Sequence, residues 1–208
     1  MSLNDLHTFN INCNTREIFL HGYISDTWED VEVDHRMANT FLKNMSALEN
    51  ENHKPILIHQ CTCGGDWNYG LAIYDRIKAS PCYVTVLAYA HARSMSSIIP
   101  LAADRKIIMP NATYMIHHGS TVLSGETQTV ISDAKQCELE TEQMLDIYIE
   151  VCKNSEFFKK WTHKCIKNWL LNKIKVDWYL SARESVKYGF MDAVFGDSGF
   201  ETMFKLRN

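Results

Sequence analysis

The sequence lacks the marks of several classes of protein. No apolar run approaches the roughly 18 residues that a membrane-spanning helix requires. The formal net charge of −4 gives no positive surplus for binding nucleic acid. Residues 1–7 have neither the basic start nor the apolar stretch of a signal peptide. We therefore expect a cytoplasmic protein with neither a membrane nor a nucleic acid among its partners.

Low-complexity stretches, internal repeats and linkers are also missing. Across the 208 residues, 46% are hydrophobic and 22% are charged, which is ordinary globular composition and argues against disorder. The length is enough for one substantial core. We expect a single domain over 1–208, with a short N-terminal segment over 1–16.

The cysteines give little sign of a disulfide framework or a metal site. There are seven, an odd number, scattered along the chain, so we expect reduced thiols. His59, Cys61 and Cys63 alternate, which would put their side chains on one face of a strand. Zinc usually takes four ligands, and a second ligand pair is not evident. We therefore predict strand packing for these residues, with no metal and no cofactor.

The hydrophobic pattern predicts an α/β fold. Apolar runs that suit buried strands alternate with segments of helical spacing. Strand, helix, strand and helix in succession predict a parallel sheet. The predicted strands are 16–22, 55–60, 83–90, 105–109 and 113–116, and the predicted helices are 33–50, 70–77 and 94–103, the last bent at Pro100.

A longer helix is predicted over 126–153, where the chain has no proline or glycine. At 1.5 Å per residue it would span about 40 Å, more than a small domain can bury along its length. We expect it to project and to contact another subunit, with Ile147 and Val151 in the contact. A second helix is predicted through Trp161 and Trp169.

A possible catalytic site follows from a serine and a histidine at the ends of predicted strands. Ser94 stands where a strand gives way to a helix, and His117 ends another short strand. A nucleophile and a base placed in this way suit a hydrolase, provided that a carboxylate orients the histidine. Asp177, just before a predicted helix capping box over 181–184, is the candidate for that carboxylate.

Each of these residues has a plain alternative. Ser94 could cap the helix, and Ser96 and Ser97 lie beside it. His118 neighbours His117, and the two cannot face the same site. Any of the 25 acidic residues could orient a histidine. Residue chemistry alone leaves these alternatives open.

A set of short motifs, in order, makes the chain resemble the proteolytic subunits of Clp proteases, which are serine peptidases of the crotonase-like α/β fold. The resemblance runs from about Ile18 to Phe195, nearly the whole chain. Any one motif is weak, but seven in order at similar spacing are specific. The motifs cover 64–65, 70–75, 92–95, 110–111, 115–117, 177–182 and 188–192.

The resemblance implies roles for particular residues. Ser94 matches the family's nucleophile, His117 its base and Asp177 its orienting acid. The backbone N–H groups of Gly65 and Met95 match its oxyanion hole. The implied fold is a single domain of repeated β-β-α units with helix 126–153 as a projecting handle.

The resemblance also implies partners. The family hydrolyses polypeptide substrates inside stacked heptameric rings, and an AAA+ ATPase of the Clp type delivers unfolded protein. We therefore expect a homo-oligomer that receives its substrates in this way.

Several positions depart from the family pattern. Cys63 replaces the proline that stiffens the oxyanion loop, and Arg93 replaces a small residue before the nucleophile. Leu57 and His59 stand where relatives carry aromatic residues of the ATPase docking pocket. These changes favour, as an alternative, a phage-type peptidase that matures proteins without an ATPase. Two others are an inactive structural subunit of a mixed ring and a hydratase or isomerase of acyl-CoA thioesters, although the latter needs no serine nucleophile.

Overall fold

The computed structural model describes residues 3–21 and 32–207. Gly22, the last residue of the predicted first strand, lies outside them, as do Met1 and Ser2 of the predicted N-terminal segment. Within the described residues the chain forms strands and helices of a mixed α/β fold. The strands are β1 (Ile11–Asn12), β2 (Glu17–His21), β3 (Ile56–Thr62), β4 (Val84–Arg93), β5 (Arg105–Ile108), β6 (Thr113–Ile116), β7 (Trp178–Ser181) and β8 (Ala193–Val194).

The described helices differ greatly in length. They are α1 (Leu3–Phe9), α2 (His35–Glu51), α3 (Trp67–Lys78), α4 (Met95–Ile98), α5 (Thr127–Cys152), α6 (His163–Lys173), α7 (Ala182–Lys187) and α8 (Met203–Arg207). Asp34 caps α2, and its side chain accepts hydrogen bonds from the first turn. The predicted capping box is present at α7, where Ser181 and Glu184 bond to each other's backbone N–H groups. Helix α5 lies within the range predicted for the handle.

The strands pair into one sheet, in the order β1, β2, β3, β4, β5 and β8. Strands β2, β3, β4 and β5 run parallel to one another, as predicted; β8, which was not predicted, runs parallel to β5, and β1 runs antiparallel to β2. The first part of β4 pairs with β5, and its last three residues pair with β6. Strand β6 in turn pairs antiparallel with β7. We call this second group the β4–β6–β7 unit.

The core lies between the sheet and the long helices. Its buried side chains come from β2, β3, β4 and β6 on one side and from α2, α3, α5 and α6 on the other, including Phe41, Ile73, Tyr148 and Ile166. A smaller cluster covers the opposite face of the sheet, where Leu57 and Leu87 pack with Leu206 of α8. The short C-terminal helix thus closes a face that the sequence pattern did not account for.

Two predicted helices need correction. The predicted helix 94–103 is a single α-helical turn, α4, followed by a 3₁₀ helix over Ile99–Ala102 with Pro100 near its start. Proline lacks an N–H and suits the first turn of a helix, so the change comes just before it rather than as a bend within one helix. Trp161 precedes α6 instead of lying in it, because Thr162 caps that helix.

Candidate active site

Ser94 adopts a strained backbone conformation at the end of β4. Its φ of 53° and ψ of −130° lie in a region that residues with a Cβ rarely adopt, and such conformations cost about 1–3 kcal/mol. Its side chain makes no capping hydrogen bond to α4. The helix-cap alternative for this serine is therefore wrong, because the strained turn points the hydroxyl elsewhere.

The Ser94 hydroxyl meets His117. The Oγ of Ser94 lies 2.8 Å from the Nε2 of His117, and the Nδ1 of His117 lies 3.2 Å from the Oδ1 of Asp177. A carboxylate only accepts hydrogen bonds, so the proton on the ring belongs on Nδ1. Nε2 is then the acceptor of the serine proton. The structure brings the three predicted residues together in an order suited to proton transfer.

Strand pairing explains why residues so distant in sequence meet. Ser94 directly follows β4, His117 directly follows β6 and Asp177 directly precedes β7. Because β4 runs parallel to β6 and β7 runs antiparallel to β6, these three strand ends lie at one edge of the β4–β6–β7 unit. The ladder continues into the nucleophile, since the N–H of Ser94 donates to the carbonyl of Met115 at 3.0 Å.

The neighbouring serines and histidine are placed differently. The Ser96 hydroxyl is buried and has no hydrogen-bond partner within residues 3–21 and 32–207. The Ser97 hydroxyl donates to the carbonyl of Ser94 at 2.6 Å and lies 2.5 Å from the Tyr148 hydroxyl. His118 is exposed. Of the alternatives, only Ser94 and His117 contact each other through their side chains.

The acid of this set is open to solvent in the single chain. The side chain of Asp177 is 51% exposed and that of His117 is 25% exposed. An exposed ion pair contributes little by Coulomb attraction alone. The role that this geometry suits is orientation of the imidazole, which depends on the hydrogen bond.

Two consecutive glycines, Gly64 and Gly65, lie close to Ser94 or to the chain beside it. A Cβ added to Gly64 would stand 2.7 Å from the Cβ of Ser94 and 3.1 Å from the backbone nitrogen of Met95. A Cβ on Gly65 would instead meet the backbone of Val33 at 2.5 Å. Both glycines have positive φ, so the close approach and the backbone conformation each require glycine. The predicted oxyanion residues, Gly65 and Met95, each directly follow one residue of the Gly64–Ser94 contact in the chain.

The Met95 side chain packs against another glycine. It is buried and packs on Gly70 of α3, where a Cβ would lie only 2.1 Å from the Met95 Cγ. A larger residue at position 70 would displace the Met95 side chain. The sequence flagged Gly70 as part of a motif but gave no reason for it.

Arg93 brings a cation beside Ser94. Its guanidinium lies 5.5 Å from the ring centre of Tyr179, and its buried Nε has no hydrogen-bond partner among the described residues. Arg93 pairs with Met115 across β4 and β6, and Met115 pairs with Tyr179 across β6 and β7. Burial, and then the charge of Arg93, lower the pKa of His91 on the same strand face.

His59 is held by packing on the outer face of the sheet. Its ring stacks on Phe19 at 4.6 Å, and its Nδ1 lies 2.8 Å from the Tyr89 hydroxyl. Over residues 3–21 and 32–207, the histidine, cysteine and acidic side chains do not gather in a group of three or more able to hold a metal ion. In the same part of the chain, no helix is both long and apolar enough to cross a membrane.

Comparisons with known proteins point in one direction. A family model described as Clp protease matches residues 13–198. The proteolytic subunit of the ATP-dependent Clp protease from Deinococcus radiodurans is 29% identical over 168 residues, covering 78% of this chain and 76% of that protein. The corresponding subunit from Streptococcus uberis is 30% identical over 167 residues, covering 78% and 80%.

A solved structure supports the fold. A mutant ClpP1 from Listeria monocytogenes superposes with a TM-score of 0.71 at 23% sequence identity, covering 93% of this chain and 96% of that one. The predicted crotonase-like α/β fold is therefore confirmed.

Proposed function

The chain belongs to the Clp protease family, and on that premise we propose that it is a serine endopeptidase with Ser94 as nucleophile, acting as the proteolytic subunit of a ring-shaped particle. The observation that carries the proposal is the continuous hydrogen-bonded set from Ser94 through His117 to Asp177.

The proposed reaction follows from this set. His117 Nε2 takes the proton of Ser94 as its Oγ attacks the carbonyl carbon of the scissile bond. The carboxylate of Asp177 accepts the Nδ1–H bond and stabilises the imidazolium that forms. His117 then returns the proton to the leaving amine, and a water molecule repeats the sequence to release the acyl group from Ser94.

The negative charge on the intermediate needs preorganised donors. We assign this role to the backbone N–H groups of Gly65 and Met95, which directly follow Gly64 and Ser94 in the chain. Removing one such donor in a comparable site costs on the order of a hundredfold or more in rate. Packing of Met95 on Gly70 supports the assignment, because it holds the side chain of one of the two donor residues.

The particle and its delivery partner are part of the same proposal. The named relatives are proteolytic subunits of an ATP-dependent protease. We propose a homo-oligomer of stacked heptameric rings in the cytoplasm, which contains the active sites and receives unfolded polypeptide from a Clp-type AAA+ ATPase.

One observation favours a second candidate, a phage-type peptidase that works without an ATPase. Leu57, at a position of the implied docking pocket, is buried beneath Leu206 of α8. His59, at the other position, is bonded to Tyr89 and stacked on Phe19. This face is therefore occupied by the chain's own residues.

Labelling by a fluorophosphonate tests the nucleophile. We expect one adduct per wild-type chain by intact-protein mass spectrometry, and none in Ser94→Ala. Ser96→Ala is the matched control and should label normally, because its hydroxyl has no partner among the described residues to lose. Labelling that persists in Ser94→Ala would move the nucleophile elsewhere, and an unlabelled wild-type particle would favour the inactive structural subunit.

A further inference from the structure

The buried hydroxyl groups behind Ser94 form a network that the catalytic set does not include. Tyr148 of α5, Tyr114 of β6 and Ser97 of α4 are each no more than 1% exposed. Tyr148 and Ser97 meet through their hydroxyls at 2.5 Å, and the hydroxyl of Tyr114 donates to the Ser97 carbonyl at 2.5 Å. Buried polar groups that are fully paired restrict the structure to one arrangement.

The directions of these hydrogen bonds can be assigned. The Ser97 hydroxyl has one proton, and it goes to the carbonyl of Ser94, which can only accept. The Tyr148 hydroxyl must therefore donate to Ser97 Oγ. Burial raises the pKa of Tyr148, so this group keeps its proton. Tyr148 thus supports Ser97, which in turn supports the nucleophile's backbone.

The backbone that Ser97 supports, that of Ser94, is strained and needs contacts to hold it. Ser94 has a strained conformation, and strain of this kind persists only where surrounding contacts impose it. Its carbonyl accepts the N–H of Ser97 at 2.9 Å as well as the Ser97 hydroxyl at 2.6 Å. Its N–H is bonded to Met115. Both peptide groups of the nucleophile are therefore fixed, one by strand pairing and one by Ser97.

We propose that Ser97 and Tyr148 are positioning residues that hold the Ser94 hydroxyl in line with His117. The proposal rests on the function proposed for Ser94. Neither residue contacts the reacting atoms, so their removal should lower the chemical rate while leaving binding of a short peptide nearly unchanged. A misplacement of about 1 Å can cost on the order of a hundredfold.

The variants are chosen to separate positioning from stability. Tyr148→Phe keeps the ring that packs edge-on against Phe190 and removes only the hydroxyl. Ser97→Ala removes the hydrogen bond that the Ser97 side chain donates to the Ser94 carbonyl. Tyr114→Phe is the matched control, because it removes an equally short buried hydrogen bond whose acceptor is the main chain of Ser97.

We expect Ser97→Ala and Tyr148→Phe to lower kcat for a fluorogenic peptide, and the maximal rate of fluorophosphonate labelling, by about tenfold to a hundredfold. KM should stay within about twofold, since these residues do not bind substrate. The double variant should be no slower than Ser97→Ala, because both changes act through one bond. Tyr114→Phe should lose melting temperature but keep kcat.

Melting temperatures by circular dichroism identify any variant that fails to fold, and rates are measured well below them. If Tyr148→Phe and Ser97→Ala keep wild-type kcat, or if Tyr114→Phe loses as much as they do, the positioning role is wrong. Absence of labelling at Ser94 in the wild type is a different result. That outcome contradicts the proposed function itself.

Discussion

Arg93 places a positive charge one residue before Ser94. The guanidinium rests over Tyr179, and its buried Nε–H has no acceptor among the described residues. Burial, and then the charge of Arg93, lower the pKa of His91 on the same face. A half-buried cation one residue before Ser94 should favour an acidic side chain in a bound polypeptide.

We therefore expect an acidic preference that depends on Arg93. For two fluorogenic peptides that differ only by glutamate or glutamine beside the scissile bond, wild type should favour glutamate. In Arg93→Met, which keeps side-chain length, the ratio of kcat/KM values should fall by about twofold to fivefold, as expected for a partly exposed charge pair. Arg36→Met, at an exposed arginine of α2, should leave the ratio unchanged. Equal ratios in wild type and Arg93→Met would contradict this role.

For single residues, the sequence predicted a serine, a histidine and an acid for the site but could not choose among neighbouring residues of the same type. Ser94, Ser96 and Ser97 have identical side chains within four positions, so chemistry could not rank them. The choice depends on the dihedral angles of Ser94, which follow from pairing of β4 with β6. Tyr148 could not be connected with Ser97 at all, because the contact joins positions that only tertiary packing brings together.

Among the elements, α8 is tied to the sheet by an ion pair. The Nε of Arg207 lies 2.5 Å from the Oε1 of Glu17 in β2, and Thr15 donates to the other oxygen at 2.8 Å. Burial alone would raise the pKa of Glu17, but His59, Arg207 and Thr15 around it outweigh burial and lower the pKa to about 2. The folded protein therefore holds this carboxylate charged.

Acid should weaken that tie in a defined window. A pKa lowered by folding contributes stability that is present above the ordinary value of 4.5 and lost as the pH falls towards about 2. In urea unfolding, wild type should exceed Glu17→Gln in stability at neutral pH, and the gap should narrow through that range. Glu138→Gln, at an exposed acid of α5, is the control. A gap independent of pH would mean that the charge of Glu17 is not what stabilises this contact.

The long elements were predicted well, as were the short strands β5 and β6, whereas several other short elements were missed. The helix predicted over 126–153 is α5, and the capping box at Ser181 is formed. Strands β7 and β8 have four and two residues, too few to show a period, and they exist because neighbouring strands pair with them. Helix α8 is similarly short, and its contact with the sheet depends on packing of Leu206.

For the molecule as a whole, α5 is the surface on which we expect assembly. Only its last turns, from Met144 onward, are buried, whereas Ile131 is 44% exposed and Leu139 is 65% exposed. Ile147 and Val151, expected from the sequence to meet another subunit, pack partly against the chain's own core. The exposed apolar positions lie nearer the start of the helix.

Charge at those positions should disrupt the particle. Leu139→Glu should convert the wild-type oligomer into smaller species in analytical ultracentrifugation, because a buried unpaired charge is costly at an interface. Asp133→Lys changes the charge at an exposed position of α5 about 120° around the helix from Leu139 and should assemble normally. A wild-type protein that sediments as a monomer at micromolar concentration would contradict assembly altogether.

A closed chamber makes a further demand on substrates. If the active sites line such a chamber, short fluorogenic peptides should be cut by the peptidase alone, and a stable folded domain should survive until an unfoldase delivers it. Digestion of a peptide, casein and a folded domain, each with and without a heterologous Clp-type ATPase, measures this. Efficient cleavage of the folded domain without an ATPase would instead favour the phage-type peptidase.

The closure of β6 on β7 also bears on how this chain can change over time. His117 and Asp177 are 60 positions apart, yet pairing of the two strands brings them together whatever the length between. The segment between His117 and Asp177 is held at a second point, where the hydroxyl of Tyr148 bonds to that of Ser97. Residues 119–126, before α5, are mostly exposed and take part in neither of these two contacts. Since each doubling of a flexible loop costs only about 0.6 kcal/mol, we expect insertions there, from natural variation or a grafted cassette, to leave the contacts among Ser94, His117 and Asp177 intact.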